Sequence, residues 1–184
     1  KYYFNNISWV GNTIYDSETL SRLLNIKKGD VYNSKYLNER ISSDEDAVSN
    51  IYQNNGYLFS RLMPIETIVG EDSINLEVRV SEGSQATINK VLIRGNNRTH
   101  EHVIRRELYV YPGELFSRED IIRSARELAN MGHFDPEQIK PDLLNVNQEA
   151  GTADVVFDLV EKANDKIELS GGWGAGMIIG SVKA

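Results

Sequence analysis

The apolar positions in the second half of the chain change period in an order that spells strand, helix, helix, strand, strand. Val91 and Ile93 alternate with Lys90 and Arg94, the two-residue period of a strand with one buried face, and Gly95-Asn96-Asn97 follows with turn residues. Thr99 stands where a helix cap belongs. Val103, Ile104 and Leu108 then fall at helical spacing, and Tyr111-Pro112-Gly113-Glu114 closes that helix as a tight turn. Ser117-x-x-Asp120 resembles a helix-start box, with Asp where Glu or Gln is usual, and Ile121, Ile122, Ala125, Leu128 and Ala129 form the apolar stripe behind it. Gly132 ends this second helix, Phe134 opens a strand, and Ala153, Val155, Phe157 and Leu159 alternate in a last one.

The same order stands in the first half. An offset of 84 carries Ile7 onto Val91, Trp9 onto Ile93, Gly11 onto Gly95 and Asn12 onto Asn96 without a gap. It also carries Leu20 onto Ile104, Arg22 onto Arg106, Leu24 onto Leu108, Gly29 onto Gly113, Val31 onto Leu115, Tyr32 onto Phe116 and Leu37 onto Ile121. Past that point the offset drops to 76, where Gly56 meets Gly132 and Leu58 meets Phe134, so the second helix of the first copy is eight residues longer. Self-similarity of this kind marks a duplicated structural unit.

The first copy therefore reads as a strand over residues 4–10, a short helix over 17–24 capped by Ser17, a long helix over 35–54, and a hairpin. Leu37, Ile41, Val48, Ile51 and Tyr52 give the long helix its buried stripe. Residues 42–46 form a polar insert that faces water or bends the helix, and Asn54-Asn55-Gly56 ends it. Residues 57–63 read as a strand that runs into Pro64. Proline has no N–H for a central strand, which places this one at a sheet edge. Gly70-Glu71-Asp72-Ser73 then turns the chain into Ile74, Leu76, Val78 and Val80, each separated by a polar neighbour.

Each unit is thus β-α-α-β-β. Two helices between the first and second strands make those strands run oppositely, and the hairpin makes the third parallel to the first. The expected fold class is α+β: two tandem units, each a three-stranded mixed sheet covered on one face by two helices, followed by a β-strand tail. The units are expected at residues 1–84 and 85–163, joined through residues 82–86, with 164–184 as the tail. In that tail one parity holds Ile167, Leu169, Trp173, Ala175, Met177 and Ile179, and the other Glu168, Ser170, Gly172, Gly174, Gly176 and Gly180. Apolar residues outside and small ones inside fit a transmembrane β-strand of about 9–11 residues, the first strand of a barrel that must close elsewhere. A flexible glycine-rich tail is the other reading.

Composition narrows the classes of function. The 184 residues, 40% apolar and 26% charged, describe an ordinary folded protein. Twenty Lys and Arg against 27 Asp and Glu leave a net charge of -7, which repels phosphate backbones, so nucleic acid is not expected as a partner. The absence of cysteine excludes a disulfide framework and thiolate metal sites. There is no signal-like start and no apolar run long enough for a transmembrane helix, and Lys1 in place of a start methionine reads as a fragment or processed piece.

Sites of chemistry are not evident. His100, Glu101 and His102 cluster at a helix start, but alternate helical residues diverge and no third ligand follows. No strand-turn-helix context places a serine as nucleophile. Gly171-Gly172-x-Gly174-x-Gly176 lacks the βαβ frame of a dinucleotide loop, and Asp44-Glu45-Asp46 has too few spaced oxygens for a calcium loop. No catalytic, cofactor-binding or metal site is expected, and no enzyme.

Taken in order, Gly95-Asn96-x-Arg98-Thr99, Ile104-Arg105-Arg106-Glu107-Leu108, Gly113-Glu114-Leu115-Phe116-Ser117 and Gly132-x-Phe134 resemble the signature of POTRA domains, the polypeptide-transport-associated modules of the periplasm. The first copy matches through Val10-Gly11-Asn12-Thr13, Gly29-Asp30-Val31-Tyr32 and Tyr52-x-x-x-Gly56-Tyr57, although no Arg-Thr follows its Asn12. The resemblance covers about residues 4–162, and the second copy is similar to the last POTRA unit of BamA-like outer-membrane protein assembly factors, which leads into a β-barrel.

That resemblance implies a scaffold at the periplasmic face of the bacterial outer membrane, with unfolded outer-membrane proteins and accessory lipoproteins as partners and no cofactor. The physical route is strand addition, in which an edge offers unpaired backbone groups to an extended chain of almost any sequence. The candidate edges are Tyr57, Leu58, Phe59, Ser60, Arg61, Leu62 and Met63 in the first unit and residues 134–139, opened by Phe134, in the second. Pro136 shortens the latter, which favours the first. Arg105 and Arg106 are candidates for partner docking, or surface residues one of which pairs with Glu101 or Glu107, and Leu169, Trp173, Ala175, Met177 and Ile179 for the barrel strand. Two other readings stay open at this point: a related translocation or secretion transporter, and a purely structural envelope or cell-division module.

Overall fold

The computed structural model of the protein describes residues 1–162. In the first copy β1 (Tyr3–Val10), α1 (Ser17–Leu24), a broken second helix, β2 (Arg61–Val69) and β3 (Ser73–Ser81) build a sheet of order β1-β3-β2. β3 runs parallel to β1 and antiparallel to β2, the directions expected from the sequence. As the middle strand it alternates strictly: Ile74, Leu76, Val78 and Val80 are buried, while Asn75, Glu77 and Arg79 stand on the other face. Below it Phe4, Trp9, Leu20, Leu24, Leu37, Ile41, Val48 and Tyr52 complete one core, each large side chain worth about 1.5–3 kcal/mol of transfer free energy. Trp9 is buried because its indole N–H is answered by the Ser21 hydroxyl at 2.7 Å.

Two expectations for the helices of the first copy are corrected. α1 is capped by Asp16, whose carboxylate accepts the Thr19 N–H at 2.8 Å; Ser17 is already helical. The long helix over 35–54 is three pieces: α2 (Ser34–Asn38), a π-helical turn (Glu39–Ser43) and α3 (Val48–Asn54). The break is organised from inside by Arg40, which is only 8% exposed. Its guanidinium donates to the carbonyls of Leu23 and Leu24 at the end of α1 and pairs with Asp46 at 2.6 Å and Asp44 at 3.3 Å. The Asn50 amide then donates to the Asp44 and Glu45 carbonyls at 3.0 and 2.8 Å. The polar insert thus bends the helix, with Ser42, Ser43, Glu45 and Asp46 facing water.

The second copy has β4 (Thr87–Arg94), α4 (Glu101–Arg105), α5 (Arg118–Asn130), a 3-10 turn (Pro136–Gln138), β5 (Lys140–Asn147) and β6 (Thr152–Asp158), with strand order β4-β6-β5. Its second helix is uninterrupted. Thr99 is not the cap of α4, which begins after His100 without a side-chain cap bond; the Thr99 N–H goes to Glu161 instead. Ser117 does accept the Asp120 N–H, at 3.3 Å. β6 departs from the expected alternation, because Ala153, Asp154, Val155, Val156 and Phe157 are all buried. Its polar member is satisfied: Asp154 accepts from the Lys90 N–H at 3.1 Å and the Asn145 amide at 2.8 Å.

That aspartate belongs to a device present in both copies. Between Phe4 and Ile7 β1 carries one residue more than β3, and the Asn75 side-chain oxygen accepts the stray N–H of Asn6 at 3.1 Å. Lys90 is the residue 84 positions beyond Asn6, and Asp154 does for it what Asn75 does for Asn6. A second device fixes the loop after the first strand. Glu82 accepts the N–H of Thr13 at 3.0 Å, the N–H of Ile14 at 2.9 Å, the Thr13 hydroxyl at 2.6 Å and the Tyr52 hydroxyl at 2.7 Å. Glu161 likewise accepts the N–H of Arg98 at 2.9 Å and of Thr99 at 2.8 Å.

The glycine of the repeated Gly-Asn pair follows from this clamp. Gly11 and Gly95 both have φ near +92, and a Cβ on either would collide with the carbonyl oxygen of Val80 or Leu159, two residues before the clamping glutamate. The paired asparagines bridge the loop, Asn12 donating to the Tyr15 carbonyl at 2.9 Å and Asn96 to the Thr99 carbonyl at 3.0 Å.

Candidate functional site

A three-stranded sheet has two edges, and in the first copy they are not alike. The start of β1 is already paired on its outer side by residues 29–32: the Phe4 N–H donates to the Asp30 carbonyl at 2.9 Å, Gly29 to Phe4 at 2.7 Å, and Tyr32 to Tyr2 at 2.8 Å. Residues 113–116 close β4 in the same way, with Ile88 donating to Glu114 at 2.8 Å and Gly113 to Ile88 at 2.7 Å. The other edge of the first sheet is β2. Its pairing with β3 is unbroken from Arg61↔Ser81 to Val69↔Ser73 and runs straight through Pro64.

The edge therefore lies further along the chain than the sequence suggests. Arg61, Leu62 and Met63 are its first three residues, and it continues through Pro64 to Val69 instead of stopping at the proline. Tyr57, Leu58, Phe59 and Ser60 are not strand. The N–H groups of three of them are spent in a local turn, in which Tyr57 donates to the Tyr52 carbonyl at 2.9 Å, Leu58 to Gly56 at 2.9 Å and Ser60 to Tyr57 at 3.2 Å. Both faces of β2 present apolar side chains to water: Met63 is 58% exposed, Ile68 62%, and Val69 is exposed beside the hairpin turn. A tyrosine crosses to this strand from the segment that closes β1. The Glu66 carboxylate that accepts its hydrogen bond, with burial, pushes the Tyr32 hydroxyl up to about 12.

The second copy offers a poorer edge. Residues 134–139 are not a strand: Phe134 is fully buried, its backbone bridges Glu161, and the Asp135 N–H donates to the Val160 carbonyl at 2.9 Å. Asp135 then caps the turn that holds Pro136, so the proline precedes the strand and does not shorten it. β5 begins at Lys140 and runs to Asn147, but Asn145 within it has a φ of +52, a local departure from extended backbone.

Of the paired arginines, Arg105 bonds Glu101 one turn earlier on α4, at 2.8 Å, and Arg106 is exposed beyond the helix end. His100 and His102 stack with ring centroids 5.7 Å apart. Among the described residues no group of three or more His, Cys, Asp or Glu side chains is placed to hold a metal ion, and no helix is long and apolar enough to cross a membrane. Leu169, Trp173, Ala175, Met177 and Ile179 lie outside the described residues.

The carboxylate clamps hold charge below its ordinary range. Burial pushes Glu82 up, but the bonds from the Thr13 hydroxyl, the Ile14 N–H, the Tyr52 hydroxyl and the Thr13 N–H outweigh it. For Glu161 burial is likewise outweighed, by the N–H groups of Arg98 and Thr99 and by their side chains. Tyr52, buried and bonded to Glu82, is pushed well above the usual phenol range. Sequence reasoning missed both clamps, although a signal was there: Val80 with Glu82 and Leu159 with Glu161 share an offset of 79.

Comparison with known proteins agrees with this geometry. The family model named POTRA, described as surface antigen variable number repeat, matches residues 2–83 and again 86–162. A putative outer membrane protein assembly factor of Treponema pallidum is 25% identical over 169 residues, which cover 91% of this chain and 19% of that protein. The outer membrane protein assembly factor BamA of Neisseria meningitidis is 25% identical over 159 residues, 84% of this chain and again 19% of the relative. The chain thus spans about a fifth of the length of these curated relatives. Among solved structures, POTRA3-5 of Haemophilus influenzae BamA superposes with a TM-score of 0.73 at 18% identity, covering 87% of this chain and 61% of that one. BamA of Haemophilus ducreyi lacking POTRA domains 1-3 gives 0.69 at 19% identity, covering 88% and 30%. At these identities the structural matches show the fold alone.

Proposed function

The chain belongs to the POTRA family, and from that premise we propose that its two units serve a BamA-like outer-membrane protein assembly factor, at the periplasmic face of the outer membrane, as a receptor for unfolded outer-membrane polypeptides. The observation that carries this reading is β2: a nine-residue outer strand in unbroken register with its sheet, bearing exposed apolar side chains on both faces. An incoming extended segment would add to it as a fourth strand, gaining backbone bonds from the edge and apolar contact from Met63, Ile68 and Val69.

Pro64 sets the register of that addition. A proline fits an edge strand where its missing N–H points away from the neighbouring strand. Alternation then leaves Leu62, Glu66 and Ile68 as the outward donors, with a gap between Leu62 and Glu66 that an added strand cannot fill. The same gap restrains two copies of the chain from pairing edge to edge. Backbone bonding tolerates many client sequences, as a receptor for diverse barrels requires, and Arg106 beyond α4 is read as a contact for an accessory lipoprotein.

A photo-crosslinking side chain placed at Met63, and as a control at Val146 on β5, tests this reading against an unfolded outer-membrane protein. The proposal expects client adducts from position 63 at several times the yield of position 146. Equal yields, or adducts at 146 alone, would contradict it.

A further inference from the structure

We infer that Arg98 is a latch on the segment that follows β6, holding Glu161 and Lys162 against the loop after β4 and setting how readily that segment opens locally. The guanidinium donates to the Lys162 carbonyl at 2.9 Å and reaches the Glu161 carboxylate at 3.5 Å, while its own N–H sits on that carboxylate. The opposite flank of the segment is held as well: the Lys162 N–H donates to the His133 carbonyl at 3.0 Å, and Phe134 bridges Glu161 antiparallel. One residue earlier Leu159 donates to the Arg94 carbonyl at 2.9 Å. The segment is therefore bonded on both sides, and Arg98 supplies the last bond on one of them.

The first copy shows what the latch adds. There the clamped residues are Thr13 and Ile14: the Thr13 hydroxyl ends on Glu82 itself, and Ile14, 84 positions before Arg98, has no polar side-chain group to reach further along the chain. Beyond Glu82 the backbone turns at Gly83, with φ of +68. The clamp alone thus suffices to fix the loop, so the longer arginine has a different task. Core stabilisation is a poor account of it, because the Arg98 side chain is 58% exposed and ion pairs of that kind contribute little to global stability. A bond of modest strength still shifts a local opening equilibrium severalfold when it lies at the end of an element. The inference is independent of which partner β2 receives.

Amide hydrogen exchange of the full 184-residue chain, followed residue by residue in the wild type, Arg98→Ala and Arg98→Lys, tests it. In Arg98→Ala the Lys162 and Asp135 amides should exchange about five times faster, while Val155 and Phe157 change less than about twofold and Tm moves by less than about 2 °C. Arg98→Lys, which keeps the charge but has one point of contact, should fall between. Unchanged protection at Lys162 and Asp135 in Arg98→Ala would overturn the latch. An equal rise at Val155 and Phe157 would overturn it too, by showing that Arg98 stabilises the whole unit.

Discussion

The two copies of the repeat solve the same local problems with the same chemistry and differ where each has something of its own to do. Both answer an N–H of their first strand with a side chain from the middle strand, Asn75 in one and Asp154 in the other. Both clamp the following loop with a glutamate and need glycine where that loop meets a carbonyl. They part at the second helix, broken around Arg40 in the first copy and continuous in the second, and at the second strand, which is a regular edge in the first and kinked at Asn145 in the second. The lesson is that a repeated residue type marks a backbone constraint. A residue type found in one copy alone marks a specialisation.

The sharpest test of the shared part is Gly11→Ala beside Gly95→Ala. Each forces a side chain into the left-handed region, at about 1–3 kcal/mol, and into the carbonyl of Val80 or Leu159 besides, so each should cost more than about 3 kcal/mol in urea unfolding. If one copy accepts alanine, the two loops are not equivalent. Glu82→Ala and Glu161→Ala come next, each expected to cost about 1.5–3 kcal/mol because charged hydrogen bonds are lost and N–H groups are left unanswered.

Acid adds a second reading of the same clamps. Both carboxyls are held below their ordinary range, so their contribution is present in full above the unfolded glutamate value and is lost as pH falls through the depressed one. Glu82→Gln should therefore flatten the acid limb of stability against pH, measured by denaturant melts at stepped pH. Arg40→Ala should cost about 1.5–3 kcal/mol with increased amide exchange at Asn25 and Asn50 and none in α5, where Ser124, 84 positions on, accepts the Tyr109 N–H by a bond of its own. The smallest effect on stability, within about 0.5 kcal/mol, is expected of Ile68→Pro, an exposed position whose N–H points away from β3 if Pro64 sets the alternation as proposed; its effect should fall on client binding.

How much of this could be read from the chain follows from the range of each interaction. Topology was legible because Gly11 and Gly95, and Gly29 and Gly113, recur at one offset and because β3 alternates cleanly under its helices. Strand ends were not. The run Tyr57-Leu58-Phe59 has strand composition, yet Gly56 turns the backbone and the next donors are spent within the turn. Pro64 looked like a terminus because its missing N–H was weighed without knowing which side of β2 it faced. Phe134 looked like a strand opening because a buried aromatic has the same residue type in either role. Arg40 was illegible for another reason: it answers carbonyls of Leu23 and Leu24 on a different helix, and no periodicity reports such a bond. Asp154 hid in β6 because a buried carboxylate with two donors breaks alternation without leaving a pattern of its own.

The central claim, that β2 is the edge that receives clients, is tested most directly by a backbone amide NMR titration of the chain with a peptide copied from an outer-membrane barrel strand. The account predicts shifts concentrated at Leu62, Glu66 and Ile68, with smaller ones at Lys140 to Asn147, and loss of the effect in Ile68→Pro at unchanged fold. If millimolar peptide moved amides of β5 or of the helices while those of β2 stayed in place, the edge assignment would be wrong and clients would have to be held elsewhere.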